Sequence, residues 1–177
     1  MSNVSMSAPP EILLSEDQIQ KRVAELALQL RHDYPAELHL VAVLKGAFVF
    51  LSDLIRQIPG DLSLDFIAAS SYAQGTTTSG QVRLLNDLDT AIEGKHVVIV
   101  EDIVDSGTTL GYLQQALRAR NPRSLATVCL LSKPARRQID VKIDYVGFTI
   151  DDRFVVGYGL DYAGRYRNLP HIAALQS

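Results

Sequence analysis

The sequence predicts an α/β fold: a twisted, mostly parallel sheet with helices on both faces. The first observation is Val97 to Val100, four β-branched residues in a row, which suit a strand buried on both faces. The second is that this run and the apolar runs His39–Leu44 and Leu125–Leu131 alternate with helical patterns. The third is size: 177 residues at 47% hydrophobic content suit one domain with a sizeable core. The expected domain is the whole chain, residues 1–177, with 1–10 as a flexible tail.

In chain order, Ser15 followed by Gln18 matches a capping box, and Ile19, Val23, Leu26 and Leu30 form one helical stripe. The helix should stop near Tyr34-Pro35, because proline disfavours helix in the residue before it. His39–Leu44 reads as a buried strand, Lys45-Gly46 as a turn, and Ala47–Leu51 as the start of a helix. Lys45 interrupts an apolar stretch, so its amine either reaches water or meets an anion. Leu62–Tyr72 reads as a strand with Leu64, Phe66 and Ala68 on one face. The small, polar stretch Ala73–Gly80 is either a mobile loop or a plain hairpin connection. Thr109–Arg120 fits a helix ended by Asn121-Pro122, and Leu125–Leu131 and Ile143–Ile150 fit further strands.

The chemistry concentrates after Val100. The strand there is expected to end in Glu101 and Asp102, followed by the loop Asp105-Ser106-Gly107-Thr108-Thr109 and then a helix. In open α/β sheets ligands bind beyond the carboxyl ends of the strands. Backbone N–H groups of a tight turn opening a helix form a phosphate cradle, and Gly107 permits close approach. Ser106, Thr108 and Thr109 add hydroxyls, while Glu101 and Asp102 can accept from vicinal hydroxyls or hold a hard cation such as Mg²⁺. The ligand sketched is a sugar phosphate. The plainer alternative makes Asp105 or Ser106 an N-cap and the acids a solvated strand end.

The string from Val97 to Thr109 resembles the phosphoribosyl pyrophosphate (PRPP) signature of type I phosphoribosyltransferases: a hydrophobic strand, two acids, two apolar residues, then Asp-Ser/Thr-Gly-x-Thr. Further matches from about Ile12 to Ile172 narrow it to the hypoxanthine-guanine phosphoribosyltransferases. The resemblance implies the type I phosphoribosyltransferase fold with a small C-terminal hood over the base. It implies transfer of phosphoribose from PRPP to N9 of hypoxanthine or guanine with release of pyrophosphate. Leu44-Lys45-Gly46 resembles the family's pyrophosphate loop, with a cis peptide before the lysine. Ser71-Tyr72 matches a lid that closes over the sugar and excludes water. Lys133, in Ser132-Lys133-Pro134, resembles the lysine that reads the 6-oxo group; Arg136 and Arg137 read as surface cations. On the purine side, Phe154 would stack on the base, Val155 would offer backbone groups to its edge, and Asp161 would bind a metal held by pyrophosphate. Arg167 would contact pyrophosphate, and Asp105 would act as general acid/base at purine N7. Mg²⁺ is the implied cofactor, with Glu101, Asp102 and Asp161 as its carboxylates. The departures are Gly159, where larger side chains occur in relatives, and Ala163-Gly164 in place of bulkier polar residues.

Composition excludes several classes. A net charge of −3 and a pI near 5.8 give no bulk attraction to nucleic acid or anionic membrane. The single cysteine, Cys129, lies in an apolar run and reads as a core thiol, and the four histidines show no ligand spacing for zinc. Met1–Pro10 shows no secretory signal, and Leu40–Leu51 is too short to span a bilayer, so a cytoplasmic location is expected. The expected partners are PRPP, a 6-oxopurine and further copies of the chain, as a dimer or tetramer. A phosphotransfer receiver domain shares the Val-Ile-Val-Glu-Asp string but needs on the order of 100 residues after it. Here 75 follow Asp102, and the Asp-Ser-Gly-Thr-Thr loop has no part in that reading. A nucleic-acid-binding member of the fold would need a basic face or an added domain. Orotate- or adenine-specific relatives are disfavoured by Lys133 and the Phe154–Asp161 block.

Overall fold

A computed structural model describes residues 10–72 and 81–175. The principal sheet has six strands: β2 (His39–Leu44), β3 (Ser63–Tyr72), β4 (Gln81–Asn86), β5 (His96–Val104), β6 (Ser124–Ser132) and β7 (Tyr145–Thr149). Their order is β4-β3-β2-β5-β6-β7; every neighbouring pair is parallel except β3 with β4. The sheet is therefore mostly parallel, as expected. Residues 73–80, between the antiparallel strands β3 and β4, fall outside the described residues, whereas Ser71 and Tyr72, expected in the lid, are the last two residues of β3.

Helix α1 (Glu16–Asp33) begins in the expected capping box: the Ser15 hydroxyl accepts from the Gln18 N–H, and the Gln18 side chain accepts from the Ser15 N–H. Its buried stripe is Ile19, Val23, Leu26, Ala27 and Leu30. Together with α2 (Phe48–Gln57) it packs on one face of the sheet, against Leu40, Ala42, Val98 and Val100. Helix α3 (Thr108–Arg118) covers the other face, where Leu110, Leu113 and Leu117 meet Val41, Val97 and Ile99. The alternation of Leu40 with Val41 and of Val97 with Val98 between two cores explains why these strands read as unbroken apolar runs. Arg22 of α1 donates to the Val146 and Gly147 carbonyls, satisfying part of the outer edge of β7.

Several local expectations are corrected. Strand β5 does not end at Glu101-Asp102; it continues in register with β6 to Val104, so both carboxylates are in-strand. On β3, Leu64, Phe66 and Ala68 share one face as expected, with Phe66 packed against the α1–α2 core, while Asp65 and Ile67 are buried on the opposite face, where Ile67 packs with Ile92 and α3. Asp65 remains satisfied by accepting from the Phe66 and Thr90 N–H groups. A second sheet joins β1 (Glu11–Leu14) to β9 (Ile172–Ala174) and β8 (Val155–Val156), all antiparallel. The expected C-terminal hood thus takes its third strand from the other end of the chain. Cys129 is fully buried, and burial pushes its thiol up to about 12, as a core thiol requires.

Candidate active site

Parallel pairing brings the carboxyl ends of β2, β5 and β6 to one edge of the sheet, and three loops emerge there: Lys45-Gly46-Ala47, Asp105–Gly107 and Lys133–Arg137. The β5 loop is held from outside. The Gln138 and Ile139 N–H groups donate to the Ser106 carbonyl at 2.9 and 3.1 Å. A side chain at Gly107 would meet the Ile139 carbonyl at 2.8 Å, and its φ of +86° is left-handed, so glycine is required twice over. Gly107 is also the N-cap of α3 and supplies no side-chain cap. This corrects the reading of Asp105 or Ser106 as the cap. Ser106 Oγ instead donates to Thr108 Oγ1 at 3.1 Å and accepts from the Thr108 N–H at 3.3 Å. Glu101, Asp105, Ser106, Gly107 and Thr109 line one pocket of about 100 Å³.

The two acids have different surroundings. Glu101 is buried and faces that pocket; burial, then the neighbouring Asp102, holds its carboxyl well above the usual range. Asp102 lies against Gly46, where an added Cβ would fall 1.6 Å from Asp102 Oδ2. Burial lifts its carboxyl to about 6, opposed by the Ile103 N–H and, more weakly, by the charge of Arg167. Gly159 closes the same junction: its φ is +97°, and a Cβ there would be 2.3 Å from the Gly46 carbonyl. That close approach gives a physical reason for glycine at this position. The peptide Leu44–Lys45 is cis, as the resemblance implied, and Lys45 is exposed.

Arg167 donates to the Gly159 carbonyl at 2.6 Å and pairs with Asp161 at 2.8 Å, while Asp161 also accepts from the Gly164 N–H. Tyr158, buried behind this turn, donates to Asp53 of α2, which also accepts from Gln20 of α1. Neither partner carried a readable signal, because each is one of many similar residues in its segment. Phe154 is exposed and stands edge-on to Tyr162 with centroids 5.5 Å apart. Val155 lies on β8, an edge strand whose backbone is paired on one side, to β9. Lys133 is buried, with Asp152 3.9 Å from its amine. Arg136 is a surface cation as expected, with its Nε 3.3 Å from Asp105 Oδ1, whereas Arg137 is corrected: it is half-buried and bonds the Asp105 carbonyl.

Among the described residues no three His, Cys, Asp or Glu side chains gather into a metal cage. The donors do suit Mg²⁺, which takes oxygen ligands and keeps most of its shell as water and phosphate, needing one or two carboxylates. Asp161 lies close enough for its charge to raise the cost of ionising Asp102. No helix among the described residues is long and apolar enough to cross a membrane.

Comparison with known proteins gives concordant results. A family described as the phosphoribosyl transferase domain matches residues 11–163. The hypoxanthine-guanine phosphoribosyltransferase of Bacillus subtilis (strain 168) is 50% identical over 167 residues, covering 94% of this chain and 93% of that protein. The hypoxanthine phosphoribosyltransferase of Salmonella typhimurium is 48% identical, covering 92% and 93%. Among solved structures, a hypoxanthine-guanine phosphoribosyltransferase of Bacillus anthracis is similar with a TM-score of 0.89 at 51% identity, covering 94% of this chain and 98% of that one.

Proposed function

The chain belongs to the phosphoribosyltransferase family, and from that premise we propose that it is a purine-salvage enzyme transferring the 5-phosphoribosyl group of PRPP to N9 of hypoxanthine or guanine. The products are IMP or GMP and pyrophosphate. The observation that carries the reading is the pocket at the start of α3, lined by Ser106, Gly107, Thr109 and Glu101, beside a helix whose N-cap, Gly107, supplies no side chain. Such a set fits the 5-phosphate and ribose of one ligand.

On this reading Ser106, Gly107, Thr108 and Thr109 anchor the phosphate, and Glu101 and Asp102 face the ribose hydroxyls. Lys45, Gly46 and Arg167 receive pyrophosphate. Arg167 would exchange its bond to Asp161 for the leaving group, freeing that carboxylate. Mg²⁺, when bound, neutralises charge on the departing pyrophosphate; Asp161 and Asp102 are the side chains that would hold it, with Glu101 turned toward the phosphate loop. Phe154 stacks on the base, Val155 meets its edge, Lys133 donates to O6, and Asp105 exchanges a proton at N7. Binding energy at the phosphate and base, remote from C1′, orients the reacting carbon against N9. The Ser71-Tyr72 lid, the cytoplasmic location and a dimeric or tetrameric assembly belong to the same proposal.

A panel of hypoxanthine, guanine, xanthine, adenine and orotate with PRPP and Mg²⁺, read as pyrophosphate release, tests it. Turnover is expected with hypoxanthine or guanine and not with adenine or orotate. Release with adenine alone, or with no base, would refute the assignment.

A further inference from the structure

Arg137 joins two parts of the site that belong to different strands. Through Nη1 it donates to the Asp105 carbonyl at 2.9 Å, and through Nη2 to Ser132 Oγ at 2.9 Å. Asp105 is the first residue beyond β5 and Ser132 is the last of β6, next to Lys133. The guanidinium thus spans the gap between the group assigned to purine N7 and the group assigned to O6. A backbone bond already ties the strands just before this point, from the Lys133 N–H to the Val104 carbonyl at 3.0 Å. The Ser106 carbonyl is held by Gln138 and Ile139 just after it. Between these two ties lies the Asp105 peptide, whose carbonyl Arg137 holds.

Arg136 is differently placed. Its side chain is 54% exposed and lies 3.3 Å from Asp105 and 3.6 Å from Asp152. Ion pairs at that exposure hold little. Arg137 is partly buried and uses a planar fork on two neutral oxygens, a geometry that lysine cannot reproduce.

We propose that Arg137 is a positioning residue for base transfer: it sets the spacing of Asp105 relative to Lys133, so that N7 and O6 of one purine are met together. The inference rests on the phosphoribosyl-transfer reading above. Misplacement by about 1 Å far from the chemistry can cost about 10²-fold in rate. The phosphate-binding backbone of residues 106–109 keeps its own ties, so PRPP binding should be spared.

The test uses the full chain with Arg137→Ala, Arg137→Lys and Ser132→Ala, measured for kcat with hypoxanthine and for PRPP binding by calorimetry. Arg137→Ala is expected to lower kcat by about 10²-fold with a much smaller change in PRPP affinity. Added guanidinium chloride at low millimolar concentration should restore part of that rate and leave the wild type unaffected. Arg137→Lys should recover less than guanidinium does, and Ser132→Ala should fall between wild type and Arg137→Ala. Retained kcat in Arg137→Ala, or a parallel loss of kcat and PRPP affinity without guanidinium rescue, overturns the proposal. If Arg137→Ala does not fold, an unchanged kcat in Ser132→Ala overturns it alone. Wild-type protein that makes no IMP would refute the activity, whereas active wild type with indifferent variants refutes this inference only.

Discussion

At the scale of single residues, Asp105 separates chemistry from architecture cleanly. Because Gly107 caps α3, Asp105 has no capping duty, and its carboxylate meets only the exposed Arg136 among the contacts described. Asparagine keeps an acceptor for Arg136 and removes the proton-accepting charge. Asp105→Asn should therefore lower kcat by at least ~10²-fold while melting temperature and PRPP affinity stay near wild type. Unchanged kcat would remove it from the chemistry. Lys133 answers a different question, since its amine is buried with one carboxylate 3.9 Å away. Lys133→Ala should weaken 6-oxopurine binding by about 1–3 kcal/mol, far more than PRPP binding; equal losses would move Lys133 off the base. Asp102 gives a prediction with a sign. Its folded-state carboxyl is raised by burial from 3.8 to about 6, so its stabilising contribution is complete below the ordinary value and is lost as pH rises through about 6. At neutral pH the ionised group is the disfavoured form. Asp102→Asn should raise the unliganded melting temperature at pH 7.5 by roughly 4–8 °C, about 2 kcal/mol, and do little at pH 4. A uniform shift at both pH values would contradict this.

At the scale of elements, the loop after β2 and the middle of β5 are fitted to one another through Gly46. An alanine there must displace the Asp102 carboxylate or the loop, because its Cβ would lie 1.6 Å from Asp102 Oδ2. Overpacking of this kind costs about 1–3 kcal/mol. Gly46→Ala should lower the melting temperature and weaken PRPP binding; adding Asp102→Ala should return stability without returning binding. Additive losses in the pair would show that the two sites do not touch. This junction also shows what a sequence can and cannot carry. The strands β2, β5 and β6 and the capping box of α1 were readable because each writes a local period or a short-range pair. The phosphate loop was readable because its residues are consecutive. The contacts of Gly46 with Asp102 and Gly159, of Asp53 with Tyr158, and of Arg137 with Ser132 and Asp105 join distant positions. Ordinary glycines, tyrosines and arginines do not announce such partners. The extension of β5 past its acids was missed for a related reason: charged residues inside a strand look like its end unless the neighbouring strand is known to continue beside them.

At the scale of the whole molecule, the two sheets divide the labour. The six-stranded sheet presents the loops proposed to bind PRPP at the carboxyl ends of its strands, while the three-stranded sheet carries Val155 and, just before it, Phe154, the residues proposed to meet the base. Strand β1 belongs to this second sheet, pairing with β9, which in turn pairs with β8. Glu11 of β1 also pairs with Arg153, the residue before Phe154. Removing residues 1–14 would strip one edge from β9 and free Arg153, yet would leave every strand of the principal sheet its partners. Lost backbone bonds are worth about 1 kcal/mol each, so the melting temperature should fall by roughly 2–4 °C per bond lost. The effect on ligands should be one-sided: a higher KM for hypoxanthine and an unchanged affinity for PRPP. Equal loss of both would mean that β1 supports the principal sheet as well. No change in the hypoxanthine KM would mean that β8 and Phe154 keep their position on the support of β9 alone.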